Sequence, residues 1–175
     1  RGGYLERKRE LLGRLLIDVI EPRSILDVGC GSVEVVGEFS FSGKYTGIDL
    51  SPSILKRNRQ LRPDWTFIEG DFLALAPGGG LDADLVICFD VLAYQHDEET
   101  YQRFVQELMN VTRRVAIING FDSSHGRGKA PKLTAYHEPL SSTLSQLDAG
   151  QVSKVGRFRG TSVFRVDKLP VMSVE

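Results

Sequence analysis

The chain has 175 residues, 41% of them hydrophobic, and a formal net charge of −1, which is apolar mass for one sizeable core and little for a second. No run approaches the roughly 18 apolar residues that a membrane helix needs, and no charged-then-apolar leader opens the chain, so the expectation is a soluble, cytoplasmic protein. The two cysteines, Cys30 and Cys88, lack CxxC or Cys/His spacing; they exclude a zinc site and a disulfide framework and read as small buried side chains.

Leu5, Leu11, Leu12, Leu15, Leu16, Val19 and Ile20 recur at helical spacing, with Arg7, Lys8, Arg9 and Arg14 left as a solvated face. Pro22 ends that helix, and Ser24–Val28 is short and apolar, as a buried strand is. The glycine-spaced turn at Gly29 and Gly31 then leads into a short helix expected over Ser32–Phe39. Tyr45–Asp49 is the second strand, after which Ser51 caps and Pro52 opens another helix. Trp65–Glu69 is the third strand, and beyond the punctuation "APGGG" Asp84–Phe89 is the fourth. Tyr101, Phe104, Val105, Leu108 and Met109 mark the core face of a helix capped by Asp97. A fifth strand, Val115–Asn119, precedes the polar loop "FDSSHGRGKAPK" and a helix near Glu138–Asp148. The last two strand-like runs meet at Arg159-Gly160 with no helix between them, so they pair as an antiparallel hairpin. The alternation predicts an α/β fold, a doubly wound seven-stranded sheet that is mostly parallel and ends in an antiparallel strand.

The chemistry lies at strand ends. A parallel strand running into Gly-x-Gly lets a ligand approach the backbone where a side chain would collide. A dinucleotide fold would continue as G-x-G-x-x-G, but the third glycine position holds Glu34, whose charge opposes a pyrophosphate and not a ligand bearing sulfonium and ammonium groups. Asp49 ends the second strand twenty residues after Gly29, where an acid accepts both hydroxyls of a ribose. Asp71, beside Phe72, follows the third strand, where it suits the amino group of an adenine lying on apolar surface.

With these residues in place, the chain resembles the class I S-adenosylmethionine-dependent methyltransferases of the small-molecule kind. "ILDVGCGS" resembles the family's first motif, "YTGIDLSPSIL" its second, "FIEGDF" its third and "ADLVICFDVLAYQ" its fourth strand and following loop. "AYHEPLSSTLSQLDAG" resembles the helix before the family's closing hairpin. The resemblance implies a Rossmann-like sheet and a single methyltransferase domain over 1–175, with an N-terminal helix at 1–21, a cofactor-binding half at 22–120 and a substrate-side loop, helix and hairpin at 121–175. It implies S-adenosyl-L-methionine as cofactor. Asp27, Gly29, Cys30 and Gly31 would surround its methionine portion, Asp49 and Leu50 its ribose, and Asp71 with the backbone of Phe72 its adenine. Phe89 would come near the methionine or the transferred methyl. The family often reads G-x-G-x-G, and the last glycine is here Val33, a β-branched residue that narrows the approach.

The implied reaction is in-line displacement at the sulfonium methyl by an acceptor nucleophile, for which a general base is optional. His96, His125 and His137 all fall at or after carboxyl ends of strands, the ligand side of an open parallel sheet, and are the candidate bases. His137 ranks first because related enzymes often carry a histidine in that "YH.PL" stretch; Tyr94 and Tyr136 are candidate pocket walls. Charge is unevenly spread: residues 1–112 carry a net −6 and residues 113–175 a net +5. Either the second half's solvated loops are simply charged, or Arg127 and Lys129 meet a carboxylate or phosphate on the acceptor. A nucleotide-dependent oxidoreductase and a non-catalytic binding module are the alternatives. A nucleic-acid methyltransferase is disfavoured by the overall charge and by "CFDVL" standing where an N-P-P-Y-like segment would follow the fourth strand.

Overall fold

The computed structural model describes residues 2–17, 21–34, 36–95, 97–122 and 137–168. Five short runs pair as parallel strands: β1 (Ser24–Val28), β2 (Lys44–Asp49), β3 (Thr66–Glu69), β4 (Ala83–Cys88) and β5 (Thr112–Gly120). A hairpin completes the sheet, β6 (Gln151–Phe158) pairing antiparallel with β7 (Thr161–Asp167), which in turn pairs antiparallel with β5. The order is β3-β2-β1-β4-β5-β7-β6. Arg159 and Gly160 make the tight turn with φ of 49° and 87°, the left-handed pair that matches the twist of a two-residue hairpin.

Alternation along the strands divides the apolar side chains between two layers. Leu26, Val28, Val86, Cys88, Ala116 and Ile118 face α4 (Glu98–Val111) and α5 (Leu140–Gln146), with Tyr101, Phe104, Leu108 and Leu144 packed on them. Ile25, Leu85, Ile87, Val115 and Ile117 face the other way, under Leu12 and Leu15 of α1 (Gly2–Ile17) and Leu55 of α2 (Pro52–Leu61). β4 is buried at every position, as a central strand covered on both faces must be.

The expected α/β sheet with its closing antiparallel strand is present, and the caps at Ser51 and Asp97 form as read. The helix expected over Ser32–Phe39 does not. A turn and a single 3-10 turn, Val36–Glu38, replace it. Val33 and Val36 are drawn into the core, the Gly31 and Val33 amides are taken by side chains of Asp49 and Asn58, and valines with Gly37 have poor helical propensity. The helix expected at Glu138–Asp148 contracts to α5, which starts after Pro139 and ends before Asp148, a residue at φ 47°. A short helix, α3 (Phe72–Leu75), was not expected; it is one turn long, too brief for a periodic signal, and is opened by Asp71, whose Oδ1 accepts from the Leu73 amide at 3.0 Å. β5 begins three residues early because exposed Arg113 and Arg114 hide its start. Asp18, Val19 and Ile20 lie outside the described residues.

β1 has β2 on one side and β4 on the other, so the chain's winding reverses between β1 and β4. A crevice opens at their carboxyl ends, the place where ligands settle in open α/β sheets. Among the described residues no helix is long and apolar enough to cross a membrane, and no cluster of His, Cys, Asp and Glu is arranged to hold a metal.

The layer beneath α1 depends on Leu12, which is wholly buried. Leu12→Ala should cost about 2–5 kcal/mol of unfolding free energy, the range for truncating a fully buried leucine, measured by equilibrium denaturation.

Candidate functional site

At that crevice a cleft of about 530 Å³ runs across the ends of β1 to β4, lined among others by Gly29, Asp49, Leu50, Asp71, Phe72 and Asp90. Its wall is built by the glycine turn. Gly29 and Cys30 both donate their amides to the Ile48 carbonyl, at 2.8 and 2.9 Å, which ties the end of β1 to β2. Gly29 sits at φ 69°, and a Cβ there would lie 2.2 Å from Cγ2 of Val91, so the missing side chain lets the Val91 side chain pack against the end of β1. Asp49 closes the turn from β2: Oδ2 accepts from the Gly31 amide at 2.8 Å and Oδ1 from the Ser51 amide at 2.9 Å. Asn58 of α2, fully buried, donates to the Gly31 carbonyl at 2.7 Å and accepts from the Val33 amide at 3.4 Å.

Of the residues expected to bind the cofactor, Gly29, Asp49, Leu50, Asp71 and Phe72 come together in the cleft. Gly31 forms the adjoining turn at φ 51°, where a Cβ would meet only the Gly29 carbonyl oxygen, at an ordinary 4.0 Å. Asp27 and Cys30 lie beneath it. The Asp27 carboxylate is buried on the α1 side of the sheet and accepts the Tyr45 hydroxyl at 2.7 Å. Burial pushes its carboxyl above the ordinary range, while the Lys8 charge and the Tyr45 hydrogen bond pull it back. Burial likewise raises the Cys30 thiol, aided by Asp27 and Asp49, and its sulfur packs under Gly47. Phe89 is buried, its ring 6.0 Å from Phe158 in an edge contact and 5.6 Å from the Lys8 ammonium.

Of the three histidines only His137 is among the described residues. His137 is buried, stacks on Tyr101 with centroids 3.6 Å apart, and places Nδ1 3.0 Å from the Glu138 carbonyl; it is not among the cleft-lining residues. His96 and His125 lie outside the described residues, as do Tyr136, Arg127 and Lys129. Tyr94 does line the cleft, largely exposed, as does Leu50. Glu34 stands at the surface paired with Arg57, so its charge is matched and bears less on the choice of ligand than the acids in the cleft.

Sequence reading missed Asp90, Asn119 and Asn58. Asp90 carried a signal: it stands just past the end of β4 as Asp71 stands just past β3 and Asp49 at the last position of β2. Asn119 is a polar residue that directly follows the apolar run 115–118 of its strand. Asn58 carried none, being one polar residue among several on α2.

The cleft suits a ligand whose hydroxyl and amino hydrogens Asp49 and Asp71 accept and whose apolar plane lies against Leu50, Phe72 and Leu73. A pyrophosphate there would meet two carboxylates. Comparison with known proteins points the same way. A family model described as "Methyltransferase domain" matches residues 25–114. A trans-aconitate 2-methyltransferase of Afipia carboxidovorans is 38% identical over 77 residues, 42% of this chain and 29% of that protein's length. The chain therefore matches under a third of this curated relative. Among solved structures, the N-methyltransferase NodS of Bradyrhizobium japonicum with bound S-adenosyl-L-homocysteine superposes at a TM-score of 0.71, with 16% identity, 94% of this chain and 87% of that chain covered. The magnesium protoporphyrin IX methyltransferase of Synechocystis superposes at 0.67, with 20% identity over 95% of this chain and 84% of that one. Both likenesses are of fold.

Gly29→Ala should lower the melting temperature, since it forces an alanine into a left-handed backbone and against Val91. Pairing it with Val91→Ala removes the collision and keeps the strained φ, so the double variant should melt between the single variant and the parent. Asp27→Asn tests the buried acid. Its folded-state pKa is raised, so the folded chain holds that proton more tightly than the unfolded one and loses stability as pH rises above the unfolded carboxylate pKa. The variant's melting temperature should gain on the parent's at pH 8 and gain less at pH 5.

Proposed function

The chain belongs to the methyltransferase domain family, and on that premise we propose that it transfers the methyl group of S-adenosylmethionine to a small-molecule acceptor that carries an anionic group. The observation that supports this reading most is the convergence of Gly29, Asp49 and Asp71 in one cleft, from the ends of three neighbouring strands. In it Asp49 takes the ribose hydroxyls, and each of its oxygens keeps a second acceptor site beyond the backbone amide it already holds. Asp71 and the backbone of Phe72 take the adenine, with Leu50 and Leu73 on its faces. The glycine turn leaves the methionine portion room above Asp27 and Cys30, which shape the turn from below.

The cofactor supplies a methyl already activated on a sulfonium. The protein's own work is then to bind, orient and exclude water, and orientation of this kind contributes on the order of 7–11 kcal/mol at best. The reading assigns no proton transfer to His137, which packs against Tyr101. An anionic acceptor is supported by the net +5 of residues 113–175 and by the tricarboxylate in the names of the curated relatives.

S-adenosylmethionine and S-adenosylhomocysteine should each raise the melting temperature, and NADH should not. A shift with NADH alone would overturn the reading. Asp49→Ala should cost about 1.5–3 kcal/mol of S-adenosylhomocysteine affinity by calorimetry, as the loss of charge-assisted hydrogen bonds predicts.

A further inference from the structure

Asp27 stands in β1 two residues before the first glycine of the turn, yet its carboxylate does not line the cleft. Alternation along β1 puts it on the α1 side with Ile25, where it is 4% exposed. A charge is costly there, and burial raises the carboxyl above the ordinary range.

Two neighbours work against that cost. Tyr45, paired with the β1 edge from β2, donates its hydroxyl to Asp27 Oδ2 at 2.7 Å. Lys8, half-buried on α1 and 5.6 Å over the Phe89 ring, adds a positive charge that favours the carboxylate. Asp49, at the end of β2, acts in the opposite direction. The thiols that face Asp27, Cys30 from the turn and Cys88 from β4, are kept uncharged by burial and then by the Asp27 charge itself. Burial and the same carboxylate also raise the Tyr45 phenol, so it stays a donor. Its ring is fixed from the far side by Trp65, stacked with centroids 3.8 Å apart and 24° between the planes.

We propose that Tyr45 and Lys8 are positioning residues that act on the cofactor through Asp27: they hold its charge beneath the glycine turn, and the cofactor's ammonium settles above with release of a proton from that carboxyl. The proposal rests on the cofactor reading above and adds a proton to it. The ammonium keeps its own hydrogens, and the proton that leaves Asp27 passes to the buffer. No contact between the two groups is needed, because a positive charge across a turn that water screens poorly favours the ionised acid. The sign follows from the raised pKa. At mildly acidic pH part of the ligand-free chain holds the proton, so affinity is full where Asp27 is already ionised and is lost as pH falls through that pKa.

Calorimetry of S-adenosylhomocysteine between pH 5 and pH 7, in buffers of different ionisation enthalpy, reads affinity and proton release together. Parent affinity should fall with pH at a rate that approaches about tenfold per pH unit, with a proton released on binding, as linkage to a single carboxyl requires. Asp27→Asn keeps the other titrating groups and should lose both effects. Tyr45→Phe keeps the ring and its stack but removes the donor, so the fall should begin at higher pH. Lys8→Gln, at a half-buried helix position, should move it the same way and serves where the core variant does not fold. Trp65, the chain's single tryptophan, gives a spectroscopic signature: its emission should change over the same pH interval in the ligand-free parent and not in Asp27→Asn. An affinity independent of pH in the parent, a dependence or an emission change that survives in Asp27→Asn, or a midpoint unmoved by Tyr45→Phe and by Lys8→Gln overturns the proposal and leaves the cofactor reading intact. Failure of the parent to bind S-adenosylhomocysteine at any pH overturns both.

Discussion

The site depends on one carboxylate holding one backbone amide. Asp49 reaches from the end of β2 to the Gly31 amide, and with the Gly29 and Cys30 amides already on Ile48 the end of β1 has little freedom left. This clamp explains why a helix is not needed after the turn. The donors that a helix N-terminus would have offered are spent on Asp49 and Asn58, and the segment beyond is released to bury Val33 and Val36 instead. The same arrangement makes room for Val33 at the position where the family often has glycine: its side chain turns into the core and away from the cleft, which it does not line.

Beneath the clamp, polar and aromatic groups form a continuous column. The Arg62 guanidinium lies 3.7 Å over the Trp65 ring, Trp65 stacks on Tyr45 with centroids 3.8 Å apart, and the Tyr45 hydroxyl ends the column on Asp27. A carboxylate so deeply placed would be costly without a partner, and this column supplies its donor from a side chain fixed by stacking. Lys8 adds charge from α1, so the N-terminal helix contributes electrostatically to the underside of the site as well as covering the sheet.

Much of the fold was legible because buried parallel strands are short apolar runs, and the punctuation between them was strong. β1 was read to the residue, and the turn at Arg159-Gly160 needed only an absent helix and a glycine. The acids of the cleft were legible for a related reason: acids at consecutive strand ends are a sequence pattern. Legibility failed where tertiary partners decide the local structure. Nothing in "SVEVVGEF" announces that Asn58, more than twenty residues on, will accept the Val33 amide. His137 followed a resemblance, and its stacking on Tyr101 is set by the way α5 meets α4, which no spacing reveals. Asp90 was missed although its position matched the pattern used for Asp49 and Asp71.

The reversed direction of β7 has a consequence for how such a protein can change. Because β7 runs against β5, its first residue, Thr161, lies at the end of the sheet where the parallel strands finish, beside Gly120 and Asn119. The hairpin bend therefore arrives at the ligand side, while the rest of β6 and β7 holds the sheet edge. Residues can be added or exchanged at that bend with the ladder, the glycine turn and the carboxylates of β2 and β3 left untouched. The cleft at the ends of β1 to β4 is thus inherited with the sheet, while a two-residue corner at the same end of the sheet is free to vary.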